Sequence, residues 1–162
     1  EKIIYSGKPI FKFKKGNILN TDNDVIGEHN GSVLYTIGQR QGLGIGGIKD
    51  TDELPWYVYG KNIAKNEIYV CQGVDNQLLY TESILLDRIH WINEFKKCND
   101  LECLVQIRHR HKPVKCRIEF NEKINVKFEK EIRGVAPGQS AVFYKDNLCL
   151  GGGVIEARNN DL

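Results

Sequence analysis

The sequence predicts a mainly β protein, on three observations. Short segments rich in Val, Ile, Phe and Tyr recur along the chain, many alternating apolar with polar side chains, as half-buried strands do. Clusters of Gly, Asn, Asp and Pro separate them at spacings that suit turns. No window sustains an apolar stripe at helical spacing over three turns.

Strand character is expected first at residues 10–14 and 17–19, which flank a Lys-Gly turn, and then at 33–37, which alternates into a glycine-rich stretch. Residues 56–60 and 68–71 are aromatic and β-branched, with 62–66 as the polar turn between them. Residues 78–86 and 90–92 look extended, with room for a short helical turn within 82–92. Further on, 101–111, 115–120, 124–128, 140–145 and 148–156 all read as strands. The polar run 93–100 between the two strand-rich halves is the expected linker. That division gives a β-rich central domain over 1–92 and a small antiparallel barrel over 93–162. Ala136-Pro-Gly-Gln139 has the chemistry of a type II turn, and Asp146-Asn147 is placed to close the last hairpin. No internal repeat is visible.

With 162 residues the chain has room for one domain or two small ones. Its 41% hydrophobic and 27% charged content is that of a globular protein. No apolar run approaches the roughly 18 residues of a membrane span, so no membrane partner is expected. The first residues lack the layout of a signal peptide. The chain holds no Met at all, and the expectation is a piece cut from something longer. Five scattered cysteines with no Cys-x-x-Cys argue against a disulfide framework or a zinc knuckle. Reduced thiols in a cytoplasmic protein are the expectation. A net charge of +2 says little about partners, so local charge has to carry that question.

Two segments stand out chemically. In Leu34-Tyr-Thr-Ile-Gly-Gln-Arg-Gln-Gly-Leu-Gly-Ile-Gly-Gly47, the glycines allow positive φ or a close backbone approach to a ligand. Gly42, Gly44 and Gly47 formally spell Gly-x-Gly-x-x-Gly. A dinucleotide site needs a helix there to hold the pyrophosphate, and the short, Pro-stopped run that follows cannot supply one. A structural glycine turn and a binding loop both remain open, with Gln39 and Arg40 as the candidate binding residues.

The second segment, Gln106-Ile-Arg-His-Arg-His-Lys-Pro-Val-Lys-Cys-Arg117, carries five cationic residues, two His and no acid. If Pro113-Val114 is the turn, Arg110 lies across from Arg117 and Arg108 across from Glu119. Like charges placed opposite one another are destabilising, which makes that pairing sensible beside an anion such as a phosphate backbone. The alternative is a solvated charged hairpin. His109 and His111 share a strand face but lack a third ligand, so no metal site is assigned. His29 and His90 read as structural or loop residues, and Cys149 as strand packing. No catalytic motif stands out, so the residues themselves describe a β-rich binding module rather than a self-sufficient enzyme.

Several stretches together go beyond composition. Gly27-Glu-His-Asn-Gly31 leads into Tyr35-Thr-Ile-Gly-Gln-Arg-Gln-Gly-Leu-Gly-Ile-Gly-Gly47, followed by Pro55-Trp-Tyr-Val-Tyr-Gly-Lys61 and Ile107-Arg-His-Arg110. Ala136-Pro-Gly-Gln-Ser-Ala-Val-Phe-Tyr144 and Cys149-Leu-Gly-Gly-Gly-Val-Ile155 complete the set. In that order and at those spacings they resemble the carboxy-terminal part of the bacterial tRNA-specific 2-thiouridylases, over essentially the whole chain.

The resemblance implies an enzyme that replaces the 2-oxygen of a wobble uridine in tRNA by sulfur, using ATP and Mg²⁺. It implies an amino-terminal ATP-pyrophosphatase domain and two catalytic cysteines, one carrying persulfide sulfur from a sulfur-relay protein. This chain has no Ser-Gly-Gly-Val-Asp-Ser loop, and none of its five cysteines matches the catalytic pair. It is therefore expected to hold no catalytic residue and no cofactor of its own, and to be inactive alone while helping to grip tRNA. The family's Arg-Tyr-Arg strand aligns with Arg108-His109-Arg110, and the Gln of its Pro-Gly-Gln turn with Gln139. These four are the expected tRNA contacts, with Gln39 and Arg40 near the catalytic cleft. His109 departs from the family's Tyr, but can still stack on a base or bond to a phosphate. Two rival readings are a translation-factor-like nucleic-acid-binding barrel without catalysis and a protein-docking domain.

Overall fold

The computed structural model describes residues 13–46, 54–92, 99–109 and 111–159. They form eleven strands: β1 (Gly16–Leu19), β2 (Val25–His29), β3 (Trp56–Asn62), β4 (Glu67–Gln72), β5 (Tyr80–Leu86), β6 (His90–Trp91), β7 (Asp100–Gln106), β8 (Val114–Phe120), β9 (Ile124–Arg133), β10 (Ser140–Lys145) and β11 (Leu148–Arg158). Mainly β is the fold class observed.

The first four strands make one sheet in the order β2-β1-β4-β3. Its β1–β4 pair is parallel and the others antiparallel. In β4 the run Ile68-Tyr-Val-Cys71 is buried throughout, the pattern of a strand covered on both faces. Ile18, Val58, Ile68 and Val70 form the core, and Tyr35 and Leu43 of the glycine-rich segment pack into it.

The remaining strands form a second sheet, β10-β7-β8-β9-β5-β11, which a β10–β11 pairing closes into a six-stranded antiparallel barrel; β6 lies along β11. Closure leaves the six barrel strands no free edge. Side chains alternate as a barrel requires: on β8, Cys116 and Ile118 point into the core while Lys115 and Arg117 are exposed. Ile84, Leu86, Val105, Val126, Phe143 and Ile155 fill the interior with them.

Most expected strands are present, and the differences have identifiable causes. Residues 33–37 are not a strand. A 3₁₀ turn at Ser32–Leu34 is followed by irregular chain whose Tyr35 and Ile37 are nevertheless buried. The alternation there reports packing without a ladder partner. Residues 25–29 pair with β1 as β2, a strand hidden in the sequence by Gly27 and its polar neighbours. The short helical turn lies at Gln77–Leu79, capped by the Asn76 side chain, which accepts from Leu78 N. β7 ends at Gln106 rather than at 111, because the Gln106 Nε2 donates to the carbonyls of His109 and His111, at 3.0 and 2.8 Å, and folds the chain into a loop.

The two sheets divide between Gln72 and Tyr80, ahead of the expected change at residue 93. β5 pairs with β9 and β11, which are far away in sequence, and local composition carries no trace of such partners. Residues 10–12 of the first expected strand and 93–98 of the expected linker lie outside the described residues.

Gly151 carries the approach of β6 to the barrel. Its φ is +151°, and a Cβ there would sit 2.2 Å from the His90 carbonyl oxygen. Both strain and clash therefore oppose a side chain. Gly151→Ala is expected to cost roughly 2–3 kcal/mol, read as a lower thermal midpoint, whereas Gly46→Ala, in open space with no positive φ, should leave the midpoint unchanged.

Candidate nucleic-acid interface

The loop between β7 and β8 is held at its β7 end. Ile107 is buried in the barrel core, and Gln106 ties the loop carbonyls as described above. Directly after them the half-buried Arg108 turns its guanidinium inward. Its Nη2 donates to Ile37 O at 3.3 Å and to Gly134 O, so one cation bridges the glycine-rich segment of the first sheet and the barrel. The bridge needs glycine on both sides. A Cβ at Gly134, φ +69°, would come within 3.3 Å of Arg108 Nη2, and one at Gly38, φ +83°, within 3.3 Å of Gly134 Cα.

Two further arginines of the barrel cross to the other side in the same way. Arg133 Nε donates to Val74 O at 3.0 Å while its guanidinium stacks 4.8 Å from the Tyr57 ring centre. Arg158, only 4% exposed, donates to Tyr59 O at 2.9 Å. A guanidinium offers five donors in a rigid fork and cannot deprotonate. Backbone carbonyls are therefore a workable set of partners for it in a junction that supplies few acids. Arg133 and Arg158 were not among the expected site residues. Their sequence signal is faint: each closes a strand, and Arg133 directly precedes a glycine.

Gln39 and Gln139 have the same job in two different places. In Thr36-Ile-Gly-Gln39 the Gln39 amide N donates to Thr36 O at 3.1 Å, and its Oε1 accepts from Thr36 N at 3.0 Å. In Ala136-Pro-Gly-Gln139 the equivalent distances are 3.2 and 3.0 Å. Each turn carries its glycine at φ near +85°, +83° for Gly38 and +86° for Gly138, as a type II turn requires. Each then exchanges two hydrogen bonds with one strand residue, Val58 for the first and Ile155 for the second, all between 2.8 and 2.9 Å. The turn chemistry read at 136–139 is present, and its geometric repeat at 36–39 escaped notice because only Gly-Gln is shared between the two.

The charged-hairpin geometry differs from the expected register. Pro113-Val114 is not the turn: Val114 pairs with Val105, Arg117 with Glu102 and Glu119 with Asp100. Arg117 contacts Asp100 at 2.8 Å, Lys127 contacts Glu119 at 2.9 Å and Lys115 contacts Glu129 at 3.7 Å. Across the β7–β8–β9 face one like-charge pair does lie directly opposed, Arg117 and Lys127, but each of the two is answered by its own acid, Asp100 and Glu119, so the pair does not call for an outside anion. The uncommitted cationic surface moves to the loop. His109, His111 and Lys112 are exposed, as is Arg40 on the glycine-rich segment. Arg110 lies outside the described residues. Among the described residues no three His, Cys, Asp or Glu side chains come together as a metal site would require, and no helix is long and apolar enough to cross a membrane.

His29 sits beneath this junction as a structural residue, 2% exposed, with Tyr35 against it edge-on at 5.4 Å. Its Nδ1 accepts from Gly31 N at 2.9 Å, and its Nε2 finds no partner among the described residues. Burial pushes its pKa below the ordinary 6.5, against a smaller opposing pull from the nearby Asn66 backbone. The unfolded chain then takes up the proton more readily than the folded one. The contribution of neutral His29 is complete above about pH 6.5 and is lost as the pH falls through that value toward the lower folded pKa. Denaturant midpoints should therefore fall between about pH 7 and about pH 5, and His29→Gln should flatten that dependence.

Two family models match the chain: a tRNA methyl transferase PRC-barrel domain over residues 8–72 and an aminomethyltransferase β-barrel domain over residues 81–155. The first covers β1 to β4 and the second most of the barrel. Among curated relatives, the tRNA-specific 2-thiouridylase MnmA of Buchnera aphidicola subsp. Baizongia pistaciae is 47% identical over 147 residues, covering 90% of this chain and 40% of that protein. Those of Serratia proteamaculans and Pectobacterium carotovorum are 41% and 42% identical, each covering 88% of this chain and 40% of the relative. The chain thus spans about 40% of the length of the curated relatives it matches. With both domain models in chain order and this identity sustained across both sheets, the chain belongs to the family of the tRNA-specific 2-thiouridylases.

Proposed function

We propose that this chain is the tRNA-gripping portion of a tRNA-uridine 2-sulfurtransferase, an enzyme of the cytoplasm that replaces the 2-oxygen of a wobble uridine by sulfur. The observation that carries this reading is the Arg108 bridge. It ties the exposed β7–β8 loop, with His109, His111 and Lys112, to the segment that bears Arg40, so that the exposed cations Lys112 and Arg40 belong to chain segments joined by one contact. Phosphate contacts from such a junction would supply affinity and register without reading sequence. The relatives' tRNA specificity supplies the ligand class.

In this reading Arg108, Gln39 and Gln139 act mainly by position. Arg108 spends its Nη2 on two carbonyls, and each Gln side chain closes its own turn. The outward residues, among them His109 and Arg40, make the contacts, and Arg110 is assigned to the same role on its charge and its place in the sequence alone. ATP and Mg²⁺ would serve the activation step of the intact enzyme, and a persulfide-relay protein would supply the sulfur. The sequence of this chain holds no Ser-Gly-Gly-Val-Asp-Ser or Gly-Lys-Ser/Thr segment, so its own residues contribute orientation of the tRNA rather than nucleotide chemistry.

Positioning and contact separate experimentally in the intact enzyme. Lys112→Ala and Arg40→Ala should each weaken tRNA binding several-fold and lower the slope of log affinity against log salt by about one, with an unchanged thermal midpoint. Arg108→Ala should lower the midpoint, since hydrogen bonds from a charged donor are worth about 1.5–3 kcal/mol, and should weaken tRNA binding as the loop is released. Unchanged affinity and salt slope in all three variants would remove this junction from tRNA binding and leave a protein-docking role for the domain.

A further inference from the structure

Cys103 and Cys116 are cross-strand partners in register on β7 and β8, with their sulfurs 3.6 Å apart. Opposed residues of an antiparallel pair have Cα atoms about 4.5–5.5 Å apart, inside the range a disulfide spans, so closing the sulfurs to about 2.05 Å needs side-chain rotation rather than backbone movement. The two thiols differ. Cys116 is buried in the barrel core, whereas Cys103 is partly exposed. Both line a surface cavity of about 560 Å³ whose rim carries Lys115, Lys127 and Lys145. Lys115 and Lys127 are engaged by Glu129 and Glu119, while Lys145 makes no ion pair among the described residues.

We propose that Cys103 and Cys116 are a redox-active dithiol whose substrate is a small carboxylate-bearing disulfide of the glutathione type. The hydrogen bond from Cys116 holds the Cys103 thiol below its ordinary pKa, with the Lys145 charge adding to the effect, while the same contact and burial raise Cys116. Cys103 is thus the attacking thiolate and Cys116 the resolving thiol. In the first step the Cys103 sulfur forms a bond to one sulfur of the small disulfide, whose S–S bond breaks and releases one thiolate. In the second, Cys116 passes its proton to that thiolate, and its sulfur attacks the Cys103 sulfur and expels the remaining half as a second thiolate, which takes a proton from solvent. The net change is two protein thiols oxidised to one disulfide and one small disulfide reduced to two thiols. The cross-link would staple β7 to β8 beneath the loop that Gln106 shapes. The other described cysteines lack this arrangement: burial pushes Cys71 up to about 11, and Cys149 has no thiol partner among the described residues.

The test treats the full chain with oxidised glutathione, blocks remaining thiols, and maps disulfides by mass spectrometry. A Cys103–Cys116 link is expected as the dominant product. Cys116→Ser should instead trap glutathione on Cys103, and Cys103→Ser should react at least about tenfold more slowly. Glutathione accumulating at Cys149 or Cys71 in the wild-type chain, or no link between Cys103 and Cys116, would overturn the proposal. The wild-type map decides the matter even if a serine variant fails to fold.

Discussion

Three arginines of the barrel, Arg108, Arg133 and Arg158, donate to backbone carbonyls on the other side of the chain, at Ile37, Val74 and Tyr59. The relation between the two sheets rests on these contacts. Burying a cation without partners is costly, and an arginine can satisfy itself with carbonyls because its donors are several and fixed in direction. An interaction built this way is insensitive to pH over the physiological range, since guanidinium does not titrate there. It also needs backbone that can come close, which is why Gly38 and Gly134, both left-handed, meet around Arg108. A lysine, with a single compact charge, could not hold two carbonyls from different segments in the same planar geometry.

From that constraint the arrangement of the junction follows. The two Gly-Gln turns are built alike, each glutamine closing its own turn by backbone and side chain and each clamped to one strand residue. They are stiff supports for the segments that flank Arg108. With the supports rigid, the β7–β8 loop can leave the ladder at Gln106 and still present its exposed residues in a fixed place. Binding residues on a loop anchored at its base by the scaffold lose less entropy when a ligand orders them. The barrel face beside this loop is electrically balanced by Arg117–Asp100, Lys127–Glu119 and Lys115–Glu129. Exposed pairs of this kind add little stability. Their effect here is to offset most of the charge on that face, while Lys112 on the loop and Arg40 make no ion pair among the described residues.

Much of this was legible from residues. Alternation along β8, β10 and β11 marked the barrel strands, and the Pro-Gly pair at 137–138 marked its turn, because these signals are local. Arg108 and Gln139 were expected as tRNA contacts and Gln39 as a residue near the catalytic cleft, and the internal partners that the structure gives them were not foreseen. Whether a cation faces solvent or a carbonyl depends on chain that is distant in sequence: Ile37 is 71 residues from Arg108. The expected register of the basic hairpin failed for a related reason. It assumed the shortest turn, whereas Gln106 uses its side chain to build a longer loop and so moves every cross-strand pair. Arg133 and Arg158 went unnoticed because an arginine at a strand end looks the same whether it is solvated or buried.

The sequence by itself determined the mainly β class, the barrel in the second half, the Pro-Gly turn at 136–139 and, through the order and spacing of its motifs, the family. Each of these rests on side-chain periodicity, on backbone freedom at glycine, or on strings of residues read in order. Only the tertiary structure decided that β5 belongs to the barrel and β6 lies along it, that Arg108 is a bridge held by two carbonyls, and that Cys103 and Cys116 face one another across a strand pair. Those facts depend on strand pairing and chain closure between distant segments, and no local pattern carries that information.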